Sequence, residues 1–175
     1  MPTIMTHAII PLAAGLALGK TRIPTPVIVT GMVLAIIPDA DVIGFKFGID
    51  YADQLGHRGA SHALLVAAAV AAAITALLRP TNWKLIFAFL FVSMASHGLL
   101  DTLTDGGLGA ALFWPFDDTR IFAPFTPIRV SPIGMGFFSA RGAETLLSEF
   151  IWVWLPTIAA MIIGRQAFQK GGQIK

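Results

Sequence analysis

No cysteine occurs among the 175 residues. Disulfide staples and thiolate metal sites are therefore both excluded, and any bound metal must be held through nitrogen and oxygen. Charge is nearly as scarce. Asp, Glu, Lys and Arg make up 13% of the chain, about half of the roughly 25% found in an ordinary soluble domain. Hydrophobic residues account for 55% and the mean hydropathy is +0.75. A chain of that composition cannot cover itself with charge in water, so a soluble globular class is excluded. The N-terminal Met1-Pro2-Thr3-Ile4-Met5-Thr6-His7 lacks the basic start and small-residue cleavage site of a secretory signal, so it reads as retained. What remains is an all-α, polytopic membrane bundle forming a single domain over 1–175.

The apolar residues fall in five segments, at about 8–19, 25–37, 61–78, 83–100 and 146–164. Crossing the hydrocarbon layer takes about 20 residues, with about 17 as a lower limit. The last three segments qualify. The first two are short, and Thr21-Arg22-Ile23-Pro24 between them reads as a tight turn, so they form either a shallow hairpin or two full spans. Arg79-Pro80-Thr81-Asn82 breaks the third segment from the fourth. A long interfacial loop, 101–145, separates the last two, and the polar tail 164–175 is expected to fray.

If all five segments cross, the loops alternate sides. Lys20, Arg22, Arg79, Lys84, Arg165, Lys170 and Lys175 then share one side with no acidic residue. Lys46, Arg58, Arg120, Arg129 and Arg141 share the other with all ten carboxylates. The positive-inside tendency makes the first side cytoplasmic and predicts an inner-membrane protein with an acidic extracytoplasmic face. Five basic residues against ten acidic ones on that face would repel a polyanion, which argues against nucleic acid as a partner.

All four histidines fall on that same face. His7 opens segment one, His57 and His62 open segment three, and His97 closes segment four. Asp39 and Asp41 close segment two after Pro38, and Asp101 follows His97 by four residues. That spacing puts both side chains on one helix face, where an imidazole and a carboxylate can grip one divalent ion. Asp39 and Asp41, two apart in extended backbone, could contribute one or two further ligands. Ser61 is a plausible N-cap that would place His62 in a first helical turn. Singly, each of these is more often an interfacial or capping residue; their convergence favours a metal site. The candidate ligands are His7, Asp39, Asp41, His62, His97 and Asp101. His and Asp without Cys suit zinc, with manganese or iron as alternatives.

The loop 101–145 carries Thr104-Asp105-Gly106-Gly107 and Phe113-Trp114-Pro115-Phe116-Asp117-Asp118-Thr119-Arg120. Guanidinium groups match phosphate oxygens bidentately, so Arg58 and Arg120 are candidate substrate contacts. His57 and Asp105 are candidate proton carriers. Glu149, near the start of segment five, is an even choice between a site member and a residue reaching the interface.

Taken in order, the TH near the N-terminus, PDxD, HRGxSH, SHxxxDxxTDGG, WPFDxxR and PIxVSPxG resemble the YdjM-like family of membrane-bound, metal-dependent hydrolases, over nearly the whole chain from His7 to Glu149. A more distant similarity, through HxxxD, is to zinc-dependent phospholipase C and single-strand nuclease enzymes. That likeness implies metal-activated water attacking a phosphoester, with His97 and Asp101 as the HxxxD pair and His7, Asp41 and His62 as further ligands. The downstream HxxxE of those enzymes has no counterpart, because no histidine follows His97; one or two ions are expected rather than three. The resulting expectation is a membrane hydrolase with Asp41, His62, His97 and Asp101 on the metal, His7 and Asp39 completing or bridging it, and a phosphoester, most plausibly lipid-borne, as substrate. The alternatives are a non-catalytic metal-binding scaffold and a divalent-metal transporter. Transport would favour ionisable groups at mid-membrane, whereas these cluster at segment ends.

Overall fold

A computed structural model describes residues 1–132 and 134–172. Among them the protein is helical, with two isolated β-bridges, Thr104 to Ile128 and Ala110 to Ile121, and no strand. Helix α1 (Ile4–Leu18) ends at Gly19, whose φ of 84° lets the chain reverse. Helix α2 (Thr25–Leu34) carries Pro26 in its first turn, where no amide partner is lost. Its α-helical part ends at Leu34, just short of Pro38, where the sequence places the helix end. The chain continues as a 3-10 helix over Ile37–Phe47, closed by left-handed Gly48. Together they make an apolar run of 23 residues, Thr25–Phe47, long enough to span a bilayer.

Residues Ala60–His62 form their own 3-10 turn, and extended Ala63 separates it from α3 (Leu64–Leu78). His62 therefore precedes the helix, and the Ser61 hydroxyl donates to Asp41 (2.6 Å) rather than capping α3. Helix α4 (Trp83–Thr102) is a candidate span of 20 residues. Helix α5 (Ala140–Glu149), a π turn (Phe150–Trp154) and α6 (Leu155–Gly172) run on as one helix, whose Ala140–Phe168 stretch is the third candidate span. The helix persists to Gly172 through much of the tail expected to fray, and 173–175 lie outside the described residues. Helices α1 and α3 have 15 residues each, about 22 Å at 1.5 Å per residue, short of the roughly 30 Å hydrocarbon core.

The core lies where α2, α3 and α4 meet, around Ile28, Leu34, Ala67, Ala71, Phe89, Leu90 and Met94. Small residues set the helix spacing, as expected where packing rather than water exclusion drives association. A Cβ on Gly31 of α2 would stand 2.7 Å from Phe89 Cε1 and 2.8 Å from Ser93 Oγ of α4. Helices α1 and α6 pack along each other on the far side. The loop after α4 folds back rather than hanging free: Leu64 N–H donates to Leu112 C=O and Ala111 N–H to Arg58 C=O.

Gly31→Leu should overpack the α2–α4 contact and cost about 1–3 kcal/mol. Gly164→Ala, whose Cβ would meet only Ala17 at 3.4 Å, should stay within about 0.5 kcal/mol of wild type. Thermal unfolding of both variants in detergent checks the contrast.

Candidate metal centre

Successive helices deliver their ends to one place. His7 lies in the first turns of α1, Asp39 in the 3-10 helix after α2, His62 in the turn before α3, and His97 and Asp101 in the last turns of α4. Ligand atoms of Asp39, His62, His97 and Asp101 all lie within 4.8 Å of one another, and all four residues are buried.

The two imidazoles explain why this cluster is more than packing. His97 Nδ1 stands 2.7 Å from the Ala35 carbonyl, one of the α2 C-terminal carbonyls that helix geometry leaves without a partner. A carbonyl only accepts, so Nδ1 carries the proton and Nε2 of the neutral ring is a lone pair. His62 Nδ1 is 2.9 Å from Ser61 Oγ, which itself donates to Asp41. His62 Nε2 is thereby turned inward as well. The two Nε2 atoms face each other at 3.0 Å, where two lone pairs repel unless a cation lies between them. A tetrahedral zinc with bonds of 2.0–2.1 Å would set its two nitrogens about 3.3 Å apart.

The carboxylates complete the geometry. Asp39 Oδ1 lies 3.3 Å from His97 Nε2 and 3.7 Å from His62 Nε2, and Asp101 Oδ2 lies 3.3 Å from His62 Nε2. Among the described residues, none of the four oxygens of Asp39 and Asp101 has a hydrogen-bond partner, and only Asp101 Oδ2 is ion-paired with a guanidinium, that of Arg58 at 2.9 Å. Burying such groups without compensation is expensive, and a shared proton satisfies one nitrogen pair but not two carboxylates. The group could hold a divalent ion.

The remaining sequence candidates separate into distinct places. Asp41 lies behind the four: its Oδ1 is 2.7 Å from His57 Nδ1, and its Oδ2 accepts from Ser61 and from the Arg58 amide (3.1 Å). The aspartates part because their backbone is a 3-10 helix, not the extended chain expected, so residues two apart project about 240° from one another. His7 stacks on His97, with centroids 3.8 Å apart, and approaches Asp101 at 3.9 Å. Both its nitrogens are buried without partners among the described residues.

Arg58 adopts a left-handed φ of 66°, a strain that non-glycine residues hold only when neighbours enforce it. Its Nε lies 2.9 Å from Asp101 Oδ2, while Nη1 and Nη2 donate to Gly106 C=O (2.9 Å) and Thr104 Oγ1 (3.1 Å). The arginine thus grips the metal-side carboxylate and the loop after α4 together. Arg120 is turned to structural use, donating to the carbonyls of His57, Tyr51 and Asp53. Asp105 accepts from the Val130 amide (2.7 Å) and pairs with exposed Arg129 (3.4 Å), away from the histidines. Glu149, fully buried, is neither in the four-residue group nor at the surface. It accepts from the Thr3 amide and hydroxyl (2.6 Å each) and the Thr6 hydroxyl (2.5 Å). Glu149 thereby ties α5 to the start of α1, the segment that carries His7.

Sequence reasoning passed over several participants. The Ala35 carbonyl carries no signal of its own. Gly98 does, by standing directly after His97: a Cβ there would lie 2.6 Å from the His62 carbonyl oxygen, so only glycine lets α4 approach the His62 turn. Tyr51 stands edge-on to His57, with centroids 5.1 Å apart. Burial raises its phenol above the ordinary value and keeps it a donor.

The fold and this site define a helical membrane protein with a buried Asp/His group able to hold a metal ion. The family model described as YdjM inner membrane protein matches residues 1–170, and the chain belongs to that family. It is 42% identical over 167 residues to inner membrane protein YbcI of Escherichia coli (strain K12), covering 92% of this chain and 95% of that protein. No solved structure matches.

Asp41→Asn should weaken zinc binding about 10–100-fold through the His62 and His57 orientation it supplies, and Asp39→Asn should weaken it further by removing a ligand. Competition against a fluorescent chelator in detergent-purified protein orders the two.

Proposed function

We propose that the protein is a metal-dependent hydrolase acting on a phosphoester at the extracytoplasmic interface of the inner membrane. The observation that carries this reading is the pair of inward-facing Nε2 atoms 3.0 Å apart, flanked by two buried carboxylates of which Asp101 alone is offset by an arginine. Nitrogen and oxygen donors of this kind suit zinc, with manganese or iron as alternatives. An ion held there would supply Lewis acidity and lower the pKa of a coordinated water toward about 7.

The chain's own residues would do the rest. Asp41 orients His57 through Nδ1, leaving its Nε2 as the proton-accepting and proton-delivering atom. Arg58 has all three nitrogens engaged, by Asp101, Gly106 and Thr104, yet it lines the adjoining cleft, where its positive charge would stabilise charge building on phosphoryl oxygens through space rather than through donated hydrogen bonds. Asp105 and Arg120 are engaged in loop contacts, which supports a supporting role for them rather than contact with the substrate.

A second reading, a metal-stabilised membrane scaffold, draws support from burial: His97 and Asp101 are 0% exposed, and structural metal sites are closed whereas catalytic ones keep a position open. Against it, Asp39 and His57 line a cleft, so the group is reachable from one side.

His97→Ala should lose bound metal and lower phosphodiesterase activity by at least about 100-fold, with the helical circular dichroism retained. Metal analysis and turnover across phosphodiester, ester and amide substrates provide the readout. Undiminished activity with unchanged metal content would overturn the hydrolase reading; metal retention by wild type without turnover of any substrate would favour the scaffold.

A further inference from the structure

Beside the metal group lies a cleft of about 970 Å³, at the upper end of the roughly 300–1,000 Å³ typical of ligand pockets. Its floor is polar, formed by Asp39, His57 and Arg58. Its walls are Ile4, Val33, Ile36, Ile37, Val42 and Phe45, and Lys46 stands at its edge. Most of these wall residues belong to Thr25–Phe47, one of the three stretches able to span a bilayer. Val33 and Ile37 are about half exposed and Phe47, just past the cleft, is 79% exposed. The cleft is thus continuous at one end with the metal group and at its side with the lipid-facing surface of a spanning segment.

We propose that this cleft receives one alkyl chain of a membrane amphiphile, placing an anionic phosphate headgroup over Asp39, His57 and Arg58; this names the substrate class for the hydrolase reading and rests on it. Three features favour that occupant. Apart from Tyr51 and Ser131 the walls are apolar and offer few hydrogen bonds, so an extended polar substrate would lose most of its hydration without replacement. An alkyl chain moving in from the bilayer exchanges one hydrocarbon surrounding for another, at little desolvation cost. Lys46 and Arg58 then supply positive charge for the phosphate near the polar floor, which an uncharged amphiphile would leave unused.

The test uses zinc-loaded protein in phosphatidylcholine nanodiscs and a long-chain alkyl phosphate bearing a diazirine at its chain terminus. Photolysis and peptide mapping should place adducts on Val33, Ile36 or Ile37, at least about tenfold above those on Leu77 of α3, which is 81% exposed and reports ordinary lipid contact. Val33→Trp, which fills the cleft at a lining position six residues before Asp39, should reduce those adducts about tenfold or more while metal content is retained. Should Val33→Trp fail to fold, Val42→Trp obstructs the cleft from another lining position and should do the same. Equal labelling at Leu77 and Val33, or labelling unchanged in a folded tryptophan variant, would overturn the proposal, because simple partitioning into the bilayer gives that pattern. Cleft adducts without turnover of any phosphoester would leave the chain site standing and remove the hydrolase reading. Turnover equal in wild type and Val33→Trp, with no cleft adducts, would do the reverse.

Discussion

Two imidazole nitrogens held 3.0 Å apart in the buried interior are the constraint on which the rest of this structure depends. Neither ring is free to turn away. His97 is fixed by the Ala35 carbonyl and His62 by the Ser61–Asp41 pair. Each outer hydrogen bond assigns the proton to Nδ1 and so directs a lone pair at the other ring. The Arg58 guanidinium offsets only Asp101, so the two lone pairs and the Asp39 carboxylate remain mutually repulsive without a further cation. The protein nevertheless brings them together from three helix ends, those of α2, α3 and α4.

The surrounding contacts follow from that demand. An Asp/His group built from helix ends requires the helices to approach closely and in fixed register. Gly31 brings α2 against α4, and Gly98 lets the His62 turn lie on α4. Glu149 draws the start of α1 onto the last helix through Thr3 and Thr6, which places His7 over His97. Arg58, held in a conformation that side chains disfavour, joins Asp101 to the loop after α4. That loop closes the site on one side, while the 3-10 helix leaves the apolar cleft open on the other.

Much of this was legible beforehand, and for a physical reason. Hydropathy responds to the solvent a segment will meet, so the helical membrane class and the approximate segments follow from local composition. Alternation of segments across a bilayer then carries His7, Asp39, His62, His97 and Asp101 to one face without any knowledge of packing. The four-residue spacing of His97 and Asp101 needs only helix periodicity. Element lengths were less accessible. Pro38 reads as a stop, yet a 3-10 helix tolerates it in its first turn and carries the apolar run on to Phe47. Ser61 reads as a cap, yet its hydroxyl is drawn to Asp41 across the bundle.

The division of labour between the aspartates marks the boundary. From residue order alone, Asp39 and Asp41 are near equivalents, and so are Arg58 and Arg120. Their separation depends on backbone twist and on partners distant in the chain: Asp39 meets His97, Asp41 meets His57, Arg58 meets Asp101, and Arg120 is consumed by carbonyls of the loop before His57. Residue types and periodicity determined that this chain is a membrane helical bundle with imidazoles and carboxylates collected at one end. Only tertiary packing decided which of them face one another, because distance and orientation across helices are properties of contacts that no local stretch of sequence contains.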